Sequence, residues 1–142
     1  MIYTELTKKA LRISFEAHKN QTDKSGMPYV YHPFHLAEQM KDEYSTCVAL
    51  LHDVVEDSET SLNDLIEEGF PKEVTDAIAL MTHDERVPYL EYVAEIKNNP
   101  IARVVKLADL RHNSDLSRLD KIDEKTNERV KKYKQAILLL LE

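Results

Sequence analysis

Residues 46–57 read TCVALLHDVVED, a strongly apolar run that carries four polar side chains, His52, Asp53, Glu56 and Asp57. Ser45 is a favourable N-cap, so we predict a helix that begins there and continues through residue 57. Residues four positions apart lie one helical turn apart, so the four polar side chains share one broad face. Burying their three carboxylates without compensation would cost several kcal/mol each. We therefore expect them either to be exposed or to be offset by a divalent cation.

The rest of the chain has the pattern of further helices. Only 2 of the 142 residues are glycine, and β-branched residues are scattered rather than alternating, which favours an all-α fold. A chain of this length suits one domain, and we predict a compact single-domain helical bundle over residues 1–142. Apolar spacing, N-caps and first-turn prolines predict the other helices at residues 4–19, 33–40, a short one after Ser61, 71–81, 87–98, 100–112 and 124–140.

The composition argues against several classes of protein. The chain has 26 acidic and 19 basic residues and a formal net charge of -7, which argues against nucleic acid as a partner. Its longest aliphatic run, residues 136–141, is far shorter than the roughly 20 residues that span a bilayer, so we expect no membrane segment. The single cysteine, Cys47, cannot form an internal disulfide, which favours a reducing cytoplasm. The oligomeric state stays open.

A second polar segment, VVKLADLRHN at residues 104–113, carries Lys106, Asp109 and Asn113 on an otherwise aliphatic helix. These three residues recur at i, i+3 and i+7 and therefore form a stripe. For Lys106 taken alone, an ordinary solvated position is the simpler interpretation. Asp109 has apolar neighbours on both sides, and isolated buried acids are rare unless they are paired or metal-bound. We therefore predict an inward carboxylate there.

Two imidazoles and two carboxylates of the chain are suited to hold one metal ion. His52, Asp53 and Asp109 are joined by His32, which we place at a loop-to-helix junction just before a proline. A mixed nitrogen and oxygen set suits Mn, Fe, Co or Zn better than Ca, and it leaves positions for water and a phosphate oxygen. A nearby carboxylate that is not a ligand, such as Glu56, can accept a proton from the nucleophile. The alternative is a hydrogen-bonded core histidine at position 52 followed by a solvated last helical turn.

Three segments of the chain together resemble a known family: AHKNQTDKSGMPYVYHP at residues 17–33, LLHDVVEDSET at residues 50–60 and VKLADLRHN at residues 105–113. In this order and spacing they resemble the HD-domain hydrolases of the SpoT and RelA type, in particular their short stand-alone forms. The resemblance implies an HD-type helical fold. Nothing in these residues resembles the nucleotide-transferring synthetase domain of the long members, so the implied activity is hydrolysis.

The resemblance implies a metal site as well. The family holds one Mn ion with a histidine, a His-Asp pair and a later aspartate. By motif, these ligands are His32, His52, Asp53 and Asp109. They are the same four residues that the donor chemistry selects.

The resemblance further implies a reaction and the residues that serve it. The family removes pyrophosphate from the 3′ position of the alarmones ppGpp and pppGpp, leaving GDP or GTP. Glu56 and Asp57 match the catalytic carboxylates beside the nucleophilic water, and Asn113 matches an asparagine near the nucleotide sugar. Lys24 and Ser25, in the KSG segment, are the candidate substrate contacts. The substrate would be a small nucleotide.

Two departures from the family pattern bear on the substrate. The family usually has an arginine just before the KSG segment that packs on guanine, whereas this chain has Asp23. Losing such a contact removes about 0.5 to 2 kcal/mol and adds repulsion toward phosphates. The usual LADRLHN order also appears here with Leu110 before Arg111. Neither change touches the metal ligands, so the reaction type is better supported than the substrate.

Two alternative functions therefore stay open. The site could act on another nucleotide or on a phosphomonoester, which Asp23 favours. The chain could also be a nucleotide-binding HD protein without turnover, against which the intact Glu56 and Asp57 speak. Of the remaining polar residues, we expect His18 to fix the loop that carries His32 by a hydrogen bond, and Tyr29 to pack onto the core.

Overall fold

The helices of the protein begin where side chains cap them. The computed structural model describes residues 1–142, and Thr4 and Ser61 each form a capping box with the residue three positions later. Asn99 and Asp123 accept hydrogen bonds from Ala102 N and Thr126 N at two further helix starts. The α-helices are α1 Glu5–His18, α2 Tyr31–Glu38, α3 Glu43–Leu51, α4 Val54–Asp57, α5 Leu62–Glu67, α6 Lys72–Met81, α7 Tyr89–Lys97, α8 Pro100–Asn113 and α9 Glu124–Leu141. The all-α prediction is confirmed.

The helix predicted over residues 45–57 is wrong at both ends of its range. It begins at Glu43 because the Asp42 side chain, rather than Ser45, is the N-cap and accepts from Ser45 N. It ends at Leu51, and a turn precedes the single helical turn of α4. The reason for the break lies in His52, whose Nδ1 is 2.7 Å from Ala49 O. This ring bond engages the carbonyl that a continuous helix would offer to the N–H of residue 53.

Helix α2 begins two residues earlier than predicted. The sequence analysis placed its start at Pro33, whereas the structure starts it at Tyr31, so His32 lies in the first helical turn. A 3₁₀ turn, Leu116–Arg118, follows α8 and leads toward α9. None of the helices combines the length and the apolar character needed to cross a bilayer.

Helix α3 is the centre of the hydrophobic core. Residues 45–51 are all buried, and α1, α2, α6 and α8 pack around them. Leu50, Ile78 and Leu110 are among the largest fully buried side chains. Helix α9 lies against α7 and α8 and closes the opposite side of α8. As a result the start of α2, the end of α3 and the middle of α8 meet at one place.

Because Cys47 is buried in α3, the reactivity of its thiol tests how often this part of the core opens. Burial, and then the nearby Glu43, raise the pKa of its thiol to about 12, and the side chain has no exposed surface. We expect iodoacetamide to label native protein at least roughly a thousandfold more slowly than protein in guanidinium, because little thiolate forms and it is not accessible. Mass spectrometry of the adduct measures both rates. Fast labelling of the native protein would show that α3 opens readily.

Candidate metal centre

Three buried side chains from three parts of the chain converge beneath the surface. His32 comes from α2, His52 from the turn after α3 and Asp109 from α8, and each offers one ligand atom within 4.8 Å of the others. His32 Nε2 lies 2.9 Å from Asp109 Oδ1, and His52 Nε2 lies 3.6 Å from the same oxygen. The inward position predicted for Asp109 is confirmed, since only 5% of the residue is exposed. This cluster is a candidate site for a divalent metal ion.

The nitrogen of His52 that faces the cluster has no hydrogen-bond partner. Its other nitrogen, Nδ1, donates to Ala49 O, so in the neutral ring Nε2 carries a lone pair. That nitrogen atom lies 3.0 Å from Asp53 Oδ2. Burial alone would lower the pKa of His52, but Asp53 and Asp109 raise it well above its ordinary value, so a proton on Nε2 takes the place that a metal ion would fill. A divalent cation would satisfy the nitrogen and both carboxylates together, so these residues fit a metal.

The second imidazole is oriented by a further histidine. His32 Nδ1 lies 2.7 Å from His112 Nδ1, and the two rings are stacked with an interplanar angle of 7°. Burial, and then the Arg118 cation, lower the pKa of His112 to about 3, so His112 is neutral. A neutral His112 can accept at Nδ1, so His32 can donate to it from its own Nδ1. In that tautomer His32 Nε2 faces Asp109 and could bind a metal, the arrangement typical of metal-binding histidines.

Asp53 is held at the edge of the cluster by Tyr29. The Tyr29 hydroxyl donates to Asp53 Oδ2, which lies 3.9 Å from His32 Nε2. Burial opposes ionisation of Asp53, but His52 lowers its pKa to about 2. Burial and the Asp53 charge raise the pKa of Tyr29, so its hydroxyl stays protonated and can donate. The ring of Tyr29 packs on those of the buried His18 and His32, and its hydroxyl in addition contacts a candidate ligand, which packing alone did not predict.

Asp109 has a buried cationic partner, which the sequence analysis placed at the surface. Lys106 Nζ lies 3.0 Å from Asp109 Oδ2, and only 12% of the Lys106 side chain is exposed. The ammonium also lies 5.4 Å from the ring centre of Tyr92 and 5.9 Å from that of Tyr89. Burial would raise the pKa of Asp109, but Lys106 and the histidines hold it well below its ordinary value. The surface interpretation of Lys106 is wrong because α7 covers this face of α8.

Asn113 completes the contacts of Asp109. Its Nδ2 donates to Asp109 Oδ1 at 3.1 Å. The predicted stripe of residues 106, 109 and 113 is therefore a set of direct contacts. The side-chain oxygen of Asn113 accepts no hydrogen bond from the protein.

Glu56 and Asp57 follow the helix break and lie close enough to the cluster for the Asp53 charge to act on both. Both are exposed, because the helix break turns α4 away from the line of α3. Glu56 Oε1 accepts from His83 N at 2.6 Å, and Gln21 Nε2 donates to Asp57 O at 2.7 Å. Burial, although partial, raises the pKa of both carboxyl groups. The predicted single face of four polar groups is wrong.

A cavity of about 310 Å³ adjoins the cluster, with His32 and Asn113 among its lining residues. Lys24 is exposed and lines it. Ser25 does not: its Oγ donates to Arg118 O at 3.0 Å and accepts from Asp120 N at 3.3 Å. Ser25 therefore joins two loops, whereas Lys24 and Asn113 can reach a molecule in the cavity.

Sequence reasoning missed two further residues of the site. His112 lies three residues after Asp109, so helical spacing could have placed it beside the cluster. His83 had no such signal, because its contact with Glu56 joins residues that are far apart in the chain. The predicted role of His18 has structural support, since its Nδ1 lies 2.8 Å from Gln21 Oε1. Gln21 in turn donates from Nε2 to Asp57 O, so it links His18 to α4.

The family model of the HD domain matches residues 10–139. The chain belongs to the HD-domain family. Its relatives include the mouse guanosine-3′,5′-bis(diphosphate) 3′-pyrophosphohydrolase MESH1, 34% identical over 73% of this chain and 66% of the relative. The bifunctional (p)ppGpp synthase/hydrolase SpoT of Escherichia coli K12 is 33% identical over 75% of this chain and 17% of the relative. The chain thus spans just under two thirds of the mouse protein and a small part of the bacterial one.

The fold of this HD-domain chain also matches a solved structure. A metazoan ortholog of SpoT, described as hydrolysing ppGpp, superposes with a TM-score of 0.77 over 100% of this chain and 88% of the other. The sequence identity is 23%, so this likeness concerns the fold alone.

Removing a candidate ligand should abolish the response of the protein to metal. At a concentration of roughly 100 Kd, a single bound ion stabilises a protein by about 2.7 kcal/mol, which raises Tm by several degrees. We expect Mn²⁺ to raise the Tm of the wild-type protein by such an amount, and to leave the Tm of His52→Ala and Asp109→Asn unchanged. Differential scanning fluorimetry with and without metal measures each difference. Glu73→Ala, which removes an exposed carboxylate of α6 away from the cluster, is the control and should respond like wild type.

Proposed function

We propose that this chain is a metal-dependent phosphohydrolase that removes pyrophosphate from the 3′ position of ppGpp and pppGpp. The observation that carries the proposal is the buried His32, His52 and Asp109 cluster, of which His32 also lines a cavity of about 310 Å³. The HD-domain relatives from mouse and E. coli are named for this chemistry. The proposal covers residues 1–142 as one hydrolase domain.

The cofactor that we propose is one Mn²⁺ ion held by His32, His52, Asp53 and Asp109. The mixed set of imidazole nitrogens and carboxylate oxygens supports Mn²⁺ over Ca²⁺. When bound, such an ion would offset negative charge on phosphoryl oxygens and lower the pKa of a water molecule. Tyr29, Lys106 and His112 orient the ligands through the contacts described above, which limits the rearrangement needed for binding.

We assign the acid–base work to Glu56 and Asp57. Water attacks the phosphorus atom attached to the ribose O3′, and the bond between that phosphorus and O3′ breaks. The water oxygen leaves with pyrophosphate, and O3′ takes up a proton to become the free hydroxyl of GDP. Glu56 is held by His83 N through one oxygen, so its second oxygen can accept the proton of the attacking water. The raised pKa of this carboxyl suits that role, because a stronger base accepts the proton more readily.

We assign substrate contacts to two residues of the cavity. Lys24 is exposed beside it and can pair with a phosphate, and the free side-chain oxygen of Asn113 can accept from a ribose hydroxyl. Ser25 supports the site indirectly, because it ties the loop of Lys24 to the segment after α8.

The expected partner is a small nucleotide rather than nucleic acid or a membrane. The net charge of -7 supports this assignment, since a backbone-binding protein needs an excess of cations. The unpaired, buried Cys47 supports a cytoplasmic location. A second candidate function, hydrolysis of another nucleotide or a phosphomonoester, is favoured by Asp23, which lines the cavity with negative charge.

A product assay decides between these substrates. Purified protein with Mn²⁺ is offered ppGpp beside a panel of nucleotides and phosphomonoesters, and the products are separated by ion-exchange chromatography. We expect GDP and pyrophosphate from ppGpp with wild type and none with Asp53→Ala. Cleavage of another substrate while ppGpp survives would reject the alarmone as substrate but keep a hydrolase. No cleavage at all would favour a nucleotide-binding protein without turnover.

Glu56→Gln separates catalysis from metal binding. Glutamine can still accept from His83 N but is a far weaker base, so we expect kcat to fall by about 10²–10⁴-fold while the Tm rise with Mn²⁺ persists. Glu59→Gln, an exposed glutamate on the same segment, is the matched control and should keep wild-type kcat. Unchanged turnover in Glu56→Gln would remove this residue from the mechanism.

A further inference from the structure

Asp23, at the position where the family usually has an arginine, forms hydrogen bonds with the backbone of its own loop. Its Oδ1 accepts from Ser25 N at 2.9 Å and from Met27 N at 3.0 Å. These bonds close the turn at residues 23–27, as aspartate side chains commonly do. Asp23 is therefore a structural residue of the loop through its Oδ1.

Arg118 lies next to Asp23 on the wall of the same cavity. It belongs to the 3₁₀ turn after α8, and its NH2 nitrogen lies 3.8 Å from Asp23 Oδ2. Its NH1 nitrogen donates to His112 O at 2.8 Å, and this is the single hydrogen bond of the Arg118 side chain. A guanidinium has five N–H donors in a fixed plane. One donor is anchored on His112 O and the NH2 nitrogen faces Asp23, which leaves further N–H donors for a ligand.

The backbone of Arg118 is also fixed to the loop of Asp23. Ser25 Oγ donates to Arg118 O and accepts from Asp120 N. The loop at residues 23–27 and the turn at residues 116–120 are thus joined by three contacts. This holds the guanidinium in place before any ligand binds, which reduces the entropy lost on binding.

The surroundings of Arg118 suit a nucleobase better than a phosphate. The neighbouring Asp23 carboxylate offsets its charge, which weakens attraction to an anion but leaves the N–H donors. Leu119, Val130 and Tyr133 give the cavity an apolar side against which a flat ring can pack. His32 and Asn113 lie in the same cavity and mark where the reacting phosphate and ribose would be.

We propose that Arg118 is the residue of this chain that selects guanine over adenine. Guanine presents two adjacent acceptors, O6 and N7, which match the paired donors of a guanidinium, whereas adenine has an amino donor in place of O6. Arg118 would thus supply from the segment after α8 the base contact that the family supplies from the position of Asp23. This inference rests on the proposed function for the identity of the ligand as a nucleotide.

Binding of GDP and ADP tests the inference without requiring turnover. Isothermal titration calorimetry gives Kd for each nucleotide with wild type, with Arg118→Lys and with Arg111→Lys. Lysine keeps the charge and can still donate to His112 O, but it lacks the planar pair of donors. Arg111 is an exposed arginine of α8 outside the cavity and is the matched control.

We expect wild type and Arg111→Lys to bind GDP at least about tenfold more tightly than ADP, and Arg118→Lys to bind the two about equally. In steady-state assays with ppGpp, Arg118→Lys should raise KM with little change in kcat, because the contact lies away from the reacting phosphate. A thermal melt of Arg118→Lys near that of wild type shows that the fold is kept. A merely structural role for Arg118 would change the melt but leave the GDP-to-ADP ratio intact.

The outcomes separate this inference from the proposed function. If wild type binds GDP and ADP equally, or binds neither, or if Arg118→Lys keeps the GDP preference, the inference is wrong whatever the hydrolysis assay shows. If the preference exists and is lost in Arg118→Lys while ppGpp is not cleaved, the inference stands and the proposed reaction fails.

Discussion

The Asp109 carboxylate carries a negative charge in a place where only 5% of the residue is exposed. An ion in such a position costs several kcal/mol unless partners surround it, and removing one partner leaves a charge that nothing offsets. The partners here come from three directions: Lys106 from its own helix, His32 from α2 and His52 from the end of α3. Their mutual pairing therefore fixes how α2, α3 and α8 meet.

The same pairing explains why the site lies at the edge of the core rather than within it. Residues 45–51 of α3 are buried, and the ionisable residues His52 and Asp53 follow directly. There the His52 ring bonds Ala49 O, the helix stops, and α4 carries Glu56 and Asp57 out to solvent. The break thus separates buried groups suited to hold a cation from exposed groups suited to exchange protons with water. A continuous helix would have placed both sets on one face.

Sequence patterns predicted those parts of the structure that depend on neighbours in the chain. The capping boxes at Thr4 and Ser61 set helix starts, and the apolar flanks of Asp109 indicated its inward side chain. The break at His52 escaped prediction because helix propensity does not register a ring that competes for a backbone carbonyl. The surface position predicted for Lys106 was wrong because the tyrosine rings that cover it belong to α7. The residue spacing within α8 carries no information about them. The metal and catalytic roles of the candidate residues stay predictions.

The contrast between Asp23 and Arg118 shows why a motif departure has to be weighed in three dimensions. Aligned position by position, an aspartate in place of an arginine removes a cation from a binding site. In the folded chain that aspartate lies 3.8 Å from an arginine of a distant segment, and Ser25 holds the two segments together. The carboxylate is satisfied by the loop, and the cation stands on the cavity wall. If Arg118 selects the base as we propose, the group lost from one segment is supplied by another, and the chemistry of the cavity depends on the pair.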